Sequence, residues 1–179
     1  MCSSDLREYF QAVRDGYVNP GIEREREFVA RLDRVRQHGR VARTNLEASV
    51  ERYRIEPGAV AERIAALRAI LANSHRFIHA AMALEAGLFR SAAAPPRAEF
   101  AQFANHVDTT LYFLAAYLRG ALMESGDLPD LREAHRALAE TGGGTAARYA
   151  LVNIETDRVT NSLNTLSLEV VQWLALDVG

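Results

Sequence analysis

The sequence predicts an all-α fold: an antiparallel bundle of four long helices with two short ones. Three observations carry this expectation. Apolar residues recur three and four apart over long stretches, the spacing of one face of a helix. Proline and glycine cluster between those stretches, at Asn19-Pro20-Gly21, Glu56-Pro57-Gly58, Pro95-Pro96, Gly126 to Pro129 and Gly142-Gly143-Gly144, and both residue types interrupt helices. No β signal competes, because no run rich in valine, isoleucine and threonine alternates with period two.

Taken in order, a short helix is expected from about Ser4 to Gly16, with Ser3 or Ser4 as its N-cap. The second helix, about Ile22 to Ile55, carries Phe28, Leu32, Val35, Gly39, Ala42, Leu46, Ser49 and Tyr53 at alternating spacings of four and three, a heptad seam. Gly39 lies on that seam and costs about 1 kcal/mol against alanine in a helix interior, so it marks either close helix approach or a bend. The third helix, about Ala59 to Phe89, repeats the spacing with Val60, Ile64, Leu67, Leu71, Ser74, Ile78, Ala81 and Leu88. Pro95-Pro96 starts the fourth, Arg97 to Met123, which carries Phe100, Ala104, Val107, Leu111, Leu114, Leu118 and Ala121 and which Gly126 stops. A short helix follows from about Leu131 to Glu140. The last runs from Ala146 to about Leu176 with Val152, Val159, Leu163, Leu166, Val170 and Trp173. The four long helices, each about 40 to 50 Å at 1.5 Å per residue, are expected to form the core. The two short ones are expected to decorate it.

Composition sets bounds on function. The chain has 179 residues, the size of one domain able to bury a real core. Apolar residues make up 49% and charged residues 25%, so disorder is not expected. A net charge of −2 gives no global field toward nucleic acid or an anionic membrane. All 21 basic residues are arginine, so each can make planar, bidentate contacts to carboxylates. The lone cysteine, Cys2, rules out an intrachain disulfide and a cysteine-rich zinc site. Charges begin at Asp5 and Arg7 with no apolar stretch of signal-peptide type, and no uncharged apolar run is long enough to span a bilayer.

No motif of catalysis is present. His75 and His79 stand at i and i+4, the spacing of two zinc ligands, but Arg76 occupies the place where the zincin motif has its glutamate base. A di-iron bundle needs Glu-x-x-His pairs, and the residues three before each histidine are Val35, Ala72, Arg76, Phe103 and Arg132. There is no phosphate-binding loop and no Gly-x-Ser-x-Gly elbow. The arginines at 31, 34, 36, 40 and 43 are interleaved with Glu23, Glu25, Glu27, Asp33, Glu47 and Glu51. That reads as a solvated, salt-bridged face rather than a nucleic-acid surface. No cofactor and no metal are expected.

One pattern is less ordinary. Each long helix carries polar residues at mid-length: Arg43, Asn45 and Glu47; Asn73, His75, Arg76 and His79; Asn105, His106 and Asp108; Asp157, Arg158, Asn161 and Asn164. In an up-down bundle these midpoints share one height, so the groups are expected to meet in a polar layer. Such a layer must pair internally or hold a ligand, because isolated buried charges cost several kcal/mol each. Arg43, Glu47, His75, Arg76, His79, Asp108, Asp157, Arg158 and Asn161 are therefore candidates for a register-fixing network or a small-anion site.

Several strings resemble one family. Arg43-Thr-Asn-Leu-Glu47-Ala-Ser-Val-Glu-Arg52, closing at Glu56-Pro57, is similar to the segment after the second membrane bundle of fusaric acid resistance-like (FUSC) proteins, the aromatic acid exporter type of inner membrane protein. His75-Arg76-Phe77-Ile78-His79-Ala80, Leu84-Glu85-Ala86, Leu111-Tyr112-Phe113 and Asn161-Ser162-Leu163 extend the similarity from about Arg7 to Trp173. The resemblance implies the C-terminal cytoplasmic region of such an exporter, on the cytoplasmic side of the bacterial inner membrane. It implies a non-enzymatic role in assembly or regulation, with the parent's membrane part and a second copy of the chain as partners. No catalytic or substrate residue carries over from the family. The alternative is a free-standing helical module that binds a small organic anion through the arginine-rich layer.

Overall fold

The computed structural model describes residues 2–90, 92, 94–121, 128–141 and 147–177. These form six α-helices: α1 (Cys2–Val18), α2 (Arg26–Arg54), α3 (Ala61–Arg90), α4 (Ala98–Tyr117), α5 (Leu131–Glu140) and α6 (Ala147–Asp177). A 3-10 turn at Ile22–Arg24 precedes α2, and no strand occurs among the described residues. The predicted fold class holds. No described helix is long and apolar enough to cross a membrane.

Successive helices alternate in direction, as short connections demand. At one end of the α3–α6 pair Arg63 donates to the Leu176 carbonyl at 2.6 Å, and at the other Arg148 donates to the Leu88 carbonyl at 2.8 Å. The two helices are therefore antiparallel over their whole length. Small residues face each other along this pair: Ala80, Ala81 and Gly87 on α3, and Thr156, Thr160 and Ser162 on α6, are all buried. The buried hydroxyls donate back along their own helix, Thr156 to Val152 at 2.7 Å and Thr160 to Thr156 at 2.8 Å. They therefore bring no unsatisfied polar group into the seam.

α1 departs from expectation. It does not decorate the bundle but lies inside it, against α2, α3 and α4. Leu6, Phe10, Val13 and Tyr17, spaced four, three and four apart, are buried together with Tyr9 and Ala12. Phe10 meets Phe77 of α3 with ring centroids 5.7 Å apart, and Tyr17 meets Phe100 of α4 at 5.0 Å. Each large side chain removed from water contributes about 1.5 to 3 kcal/mol, so this face makes α1 a core element despite its length. It begins at Cys2, which puts Ser3 and Ser4 in its first turn rather than before it.

α2 is the peripheral helix. Phe28, Leu32 and Val35 of its seam are buried, whereas Gly39, Ala42, Leu46, Ser49 and Tyr53 are half-buried or exposed. Val50 is buried, but apart from the main core. α4 ends sooner than expected. Gly120 adopts φ 94°, the Gly120 amide donates to Tyr117 and the Ala121 amide to Ala116, a left-handed C-terminal cap. The expected end at Met123, the Gly126 stop and the triple glycine at 142–144 lie outside the described residues. α5 is capped by Asp130, whose carboxylate accepts from the amides of Arg132 and Glu133 at 2.9 Å. It covers α4 and α6.

Candidate functional site

The residues of the expected polar layer do not meet in one layer. With α1 packed between α2, α3 and α4, they divide into separate groups. Arg43, Glu47 and His75 form one across the α2–α3 seam. Glu47 Oε1 lies 3.6 Å from Arg43 Nε and 3.3 Å from His75 Nε2, yet both nitrogens are buried without a hydrogen-bond partner. Burial together with the nearby Arg43 charge lowers the pKa of His75 below the ordinary imidazole value, against the opposing pull of Glu47.

Asp108 belongs to a different group. It accepts from Arg7 at 2.8 and 2.9 Å and from Gln11 at 2.7 Å, both on α1. Burial alone would raise its pKa, but these donors outweigh it and hold the carboxyl below its usual range. Asp157 is tied to α5 and to its own helix, 3.8 Å from Arg132 and accepting from Asn161 at 2.9 Å.

Arg76, His79, Arg158 and Asn161 come together, with Ser162 and Thr165, along a groove of about 360 Å³ between α3 and α6. Its charges are partly taken, since Arg158 donates to the buried Glu155 at 2.8 Å. Among the described residues no group of three metal-ligating side chains gathers around His75 and His79 or elsewhere.

A second opening lies on the other side of His79, between α1, α2 and α3. This cleft of about 190 Å³ has an apolar floor of Leu6, Val35, Ile78 and Met82. Arg36, Arg40, Arg43 and His79 stand around it, with Gly39 between the arginines and Asp5 on the α1 side. A Cβ placed on Gly39 would meet nothing within 4 Å, so this glycine admits no close neighbouring helix. The arginines are not equivalent. Arg36 binds Glu85 and lies 3.1 Å from Asp33. Arg40 makes no ion pair among the described residues, and Arg43 keeps its buried Nε without a hydrogen bond. Asp5 opposes an anion here; burial, followed by the charge of Glu8, raises its pKa above the ordinary carboxylate value.

Beneath the cleft is a polar triad that the sequence pattern did not single out. Buried Glu85 accepts from the Tyr9 hydroxyl at 2.5 Å and from Arg36, joining α1, α2 and α3. Desolvation and the Glu85 hydrogen bond push the Tyr9 phenol upward, so it stays a donor at any ordinary pH. A single carboxylate within the apolar run from Ala80 to Leu88 was its only trace in the sequence. A second missed pair, Arg148 and Glu23, is 2% and 8% exposed, with 3.8 Å between them, and ties the turn before α2 to α6.

Compared with protein-family models, with curated proteins and with solved structures, the chain matches none.

Proposed function

We propose that this chain is a non-enzymatic helical module that binds a small organic anion in the cleft between α1, α2 and α3. The observation that carries the reading is the cleft's composition: an apolar floor beneath Arg40, which makes no ion pair among the described residues, and Arg43, whose one acidic neighbour, Glu47, stands 3.6 Å from its Nε without a hydrogen bond. Sites for small molecules combine apolar walls with a few placed polar groups in this way, and guanidinium groups match a carboxylate's planar geometry.

The resemblance to FUSC proteins gives the setting of the proposal. As the cytoplasmic region of an exporter of aromatic or other organic acids, the module would sense the exported class of compound and regulate or assemble the membrane part. Leu168 and Val171, one helical turn apart and exposed on α6, are the apolar residues there that an assembly contact would use.

A thermal-shift panel of aromatic and short aliphatic carboxylates tests the site. A ligand at 100 times its dissociation constant adds about 2.7 kcal/mol, a rise of several degrees for a domain of this size. Arg40→Ala and Arg43→Ala are expected to abolish most of that rise, and Arg76→Ala, in the α3–α6 groove, to leave it. A reversal of that order moves the site to the α3–α6 groove, and a flat panel sinks the reading. The exporter setting is tested by the parent gene, which must encode upstream membrane-spanning segments.

A further inference from the structure

Below the cleft, the inner side of α2 faces an apolar cavity of about 330 Å³, walled by α3, α4 and α6. Its walls are large side chains, among them Ile70, Leu111, Leu114, Leu166 and Trp173. The α2 side is small by contrast, with Ala42 and Ser49 flanking Leu46. In the first half of the same seam Phe28, Leu32 and Val35 fill the space between α2 and its neighbours. The second half has the room but not the side chains to do so.

The space opens to solvent beside Asn45, Ser49 and Leu118, but its walls offer water few partners. Of the three polar residues lining the cavity, Ser74 donates to the Ile70 carbonyl at 2.8 Å and Ser49 to the Asn45 carbonyl at 2.8 Å. That leaves Asn45 as the principal polar side chain for a solvent molecule needing two to four partners. Leu6, itself 2% exposed, lines both this cavity and the arginine-rimmed cleft above it. Ala42 of the cavity and Arg43 of the cleft are consecutive on α2. The two spaces therefore adjoin, one end cationic and the other apolar.

We infer that cleft and cavity form one bipartite site for an amphiphilic monocarboxylate, with its head at Arg40 and Arg43 and its aliphatic tail past Leu6 among the leucines. The inference rests on the anion reading and adds the class of ligand. A benzoate-sized acid occupies the cleft alone; a fatty acid occupies both. The charge at one end and the lack of free polar partners at the other together select an amphiphile over a neutral apolar molecule or a compact polar anion.

Isothermal titration calorimetry with hexanoate, octanoate, decanoate and decanol, below their micellar concentrations, provides the test. The expected result is a gain in affinity of about fourfold per added methylene, with decanol far weaker than decanoate. Ala42→Leu and Ser49→Leu narrow the cavity from its small-residue side, at helix positions that tolerate leucine. Each is expected to remove the chain-length gain and to leave hexanoate binding unchanged. Arg43→Ala is expected to weaken all the acids alike. If hexanoate binds and decanoate binds no tighter, the bipartite site is wrong while the anion site stands. If decanol matches decanoate, or if Ala42→Leu leaves decanoate unaffected, the inference also falls. If no acid of any length binds, both readings fall together.

Discussion

Glu85 is the residue on which three helices converge. It accepts from Tyr9 of α1 and Arg36 of α2 while sitting buried on α3. Removing it strands a buried phenol and a half-buried guanidinium, and leaving such groups unpaired costs more than the pair contributed. Glu85→Ala is expected to lower stability by about 2 to 4 kcal/mol in urea unfolding, whereas Glu85→Gln, which keeps an acceptor for Tyr9, loses less. His75 gives a pH signature. Its folded pKa is lowered, so the unfolded chain takes up a proton first as the pH falls. Stability is full above about pH 6.5 and declines as the pH drops below it. The melting temperature should therefore fall as the pH drops below about 6.5, and His75→Gln should flatten that slope. Both groups were only partly legible in the sequence. The mid-length polar residues of α2 and α3 were visible, and Arg43, Glu47 and His75 do meet. Partners contributed by α1, such as Arg7 to Asp108, were not, because periodicity within one helix says nothing about which neighbour it faces.

At the scale of the element, two glycines with the same sequence signature behave oppositely. Gly39 faces open space, so Gly39→Ala is expected to stabilise α2 by about 0.5 to 1 kcal/mol. A Cβ on Gly87 would stand 2.7 Å from the Tyr17 hydroxyl and from a Leu151 methyl, so Gly87→Ala is expected to destabilise by about 1 to 3 kcal/mol. Denaturant midpoints of the two variants should move in opposite directions. Helix existence was readable because three- and four-residue spacing persists over many turns. The end of α4 was not, because the helical spacing of Leu118 and Ala121 continues past the lone Gly120, and the cap arises from backbone geometry. The place of α1 was hidden by its length. Its face of Leu6, Phe10, Val13 and Tyr17 was as regular as any long helix's, and burial follows the face rather than the number of turns.

Across the whole molecule, the α3–α6 pair forms the spine, α1 and α4 complete the core, α5 covers one side, and α2 crosses the other. The expectation of a single polar layer assumed four equivalent helices around a common axis. A fifth helix packed between α2, α3 and α4 removes that symmetry and divides the polar groups into separate clusters. Of the candidate anion site, Arg43 and His79 were among the polar residues the sequence singled out; Arg36 and Arg40 read as part of a solvated, salt-bridged face, and the apolar floor was hidden because it is assembled from three helices.

The burial pattern of α2 has a mechanical consequence. The helix is held near one end by Phe28, Leu32 and Val35 and near the other by Val50, with cleft and cavity beneath the span between. Between those buried ends, among the described residues, only the polar contacts of Arg36 with Glu85 and of Glu47 with His75 hold it, so its middle is expected to yield more than its tips. An occupant beneath it bows the outward face around Val41, which is 56% exposed, and leaves the ends in place. Spin labels at Arg31 and Arg52 should keep their separation on filling, while a label at Val41 shifts. A partner that reads this domain's state would then bind along the middle of α2 rather than at either terminus.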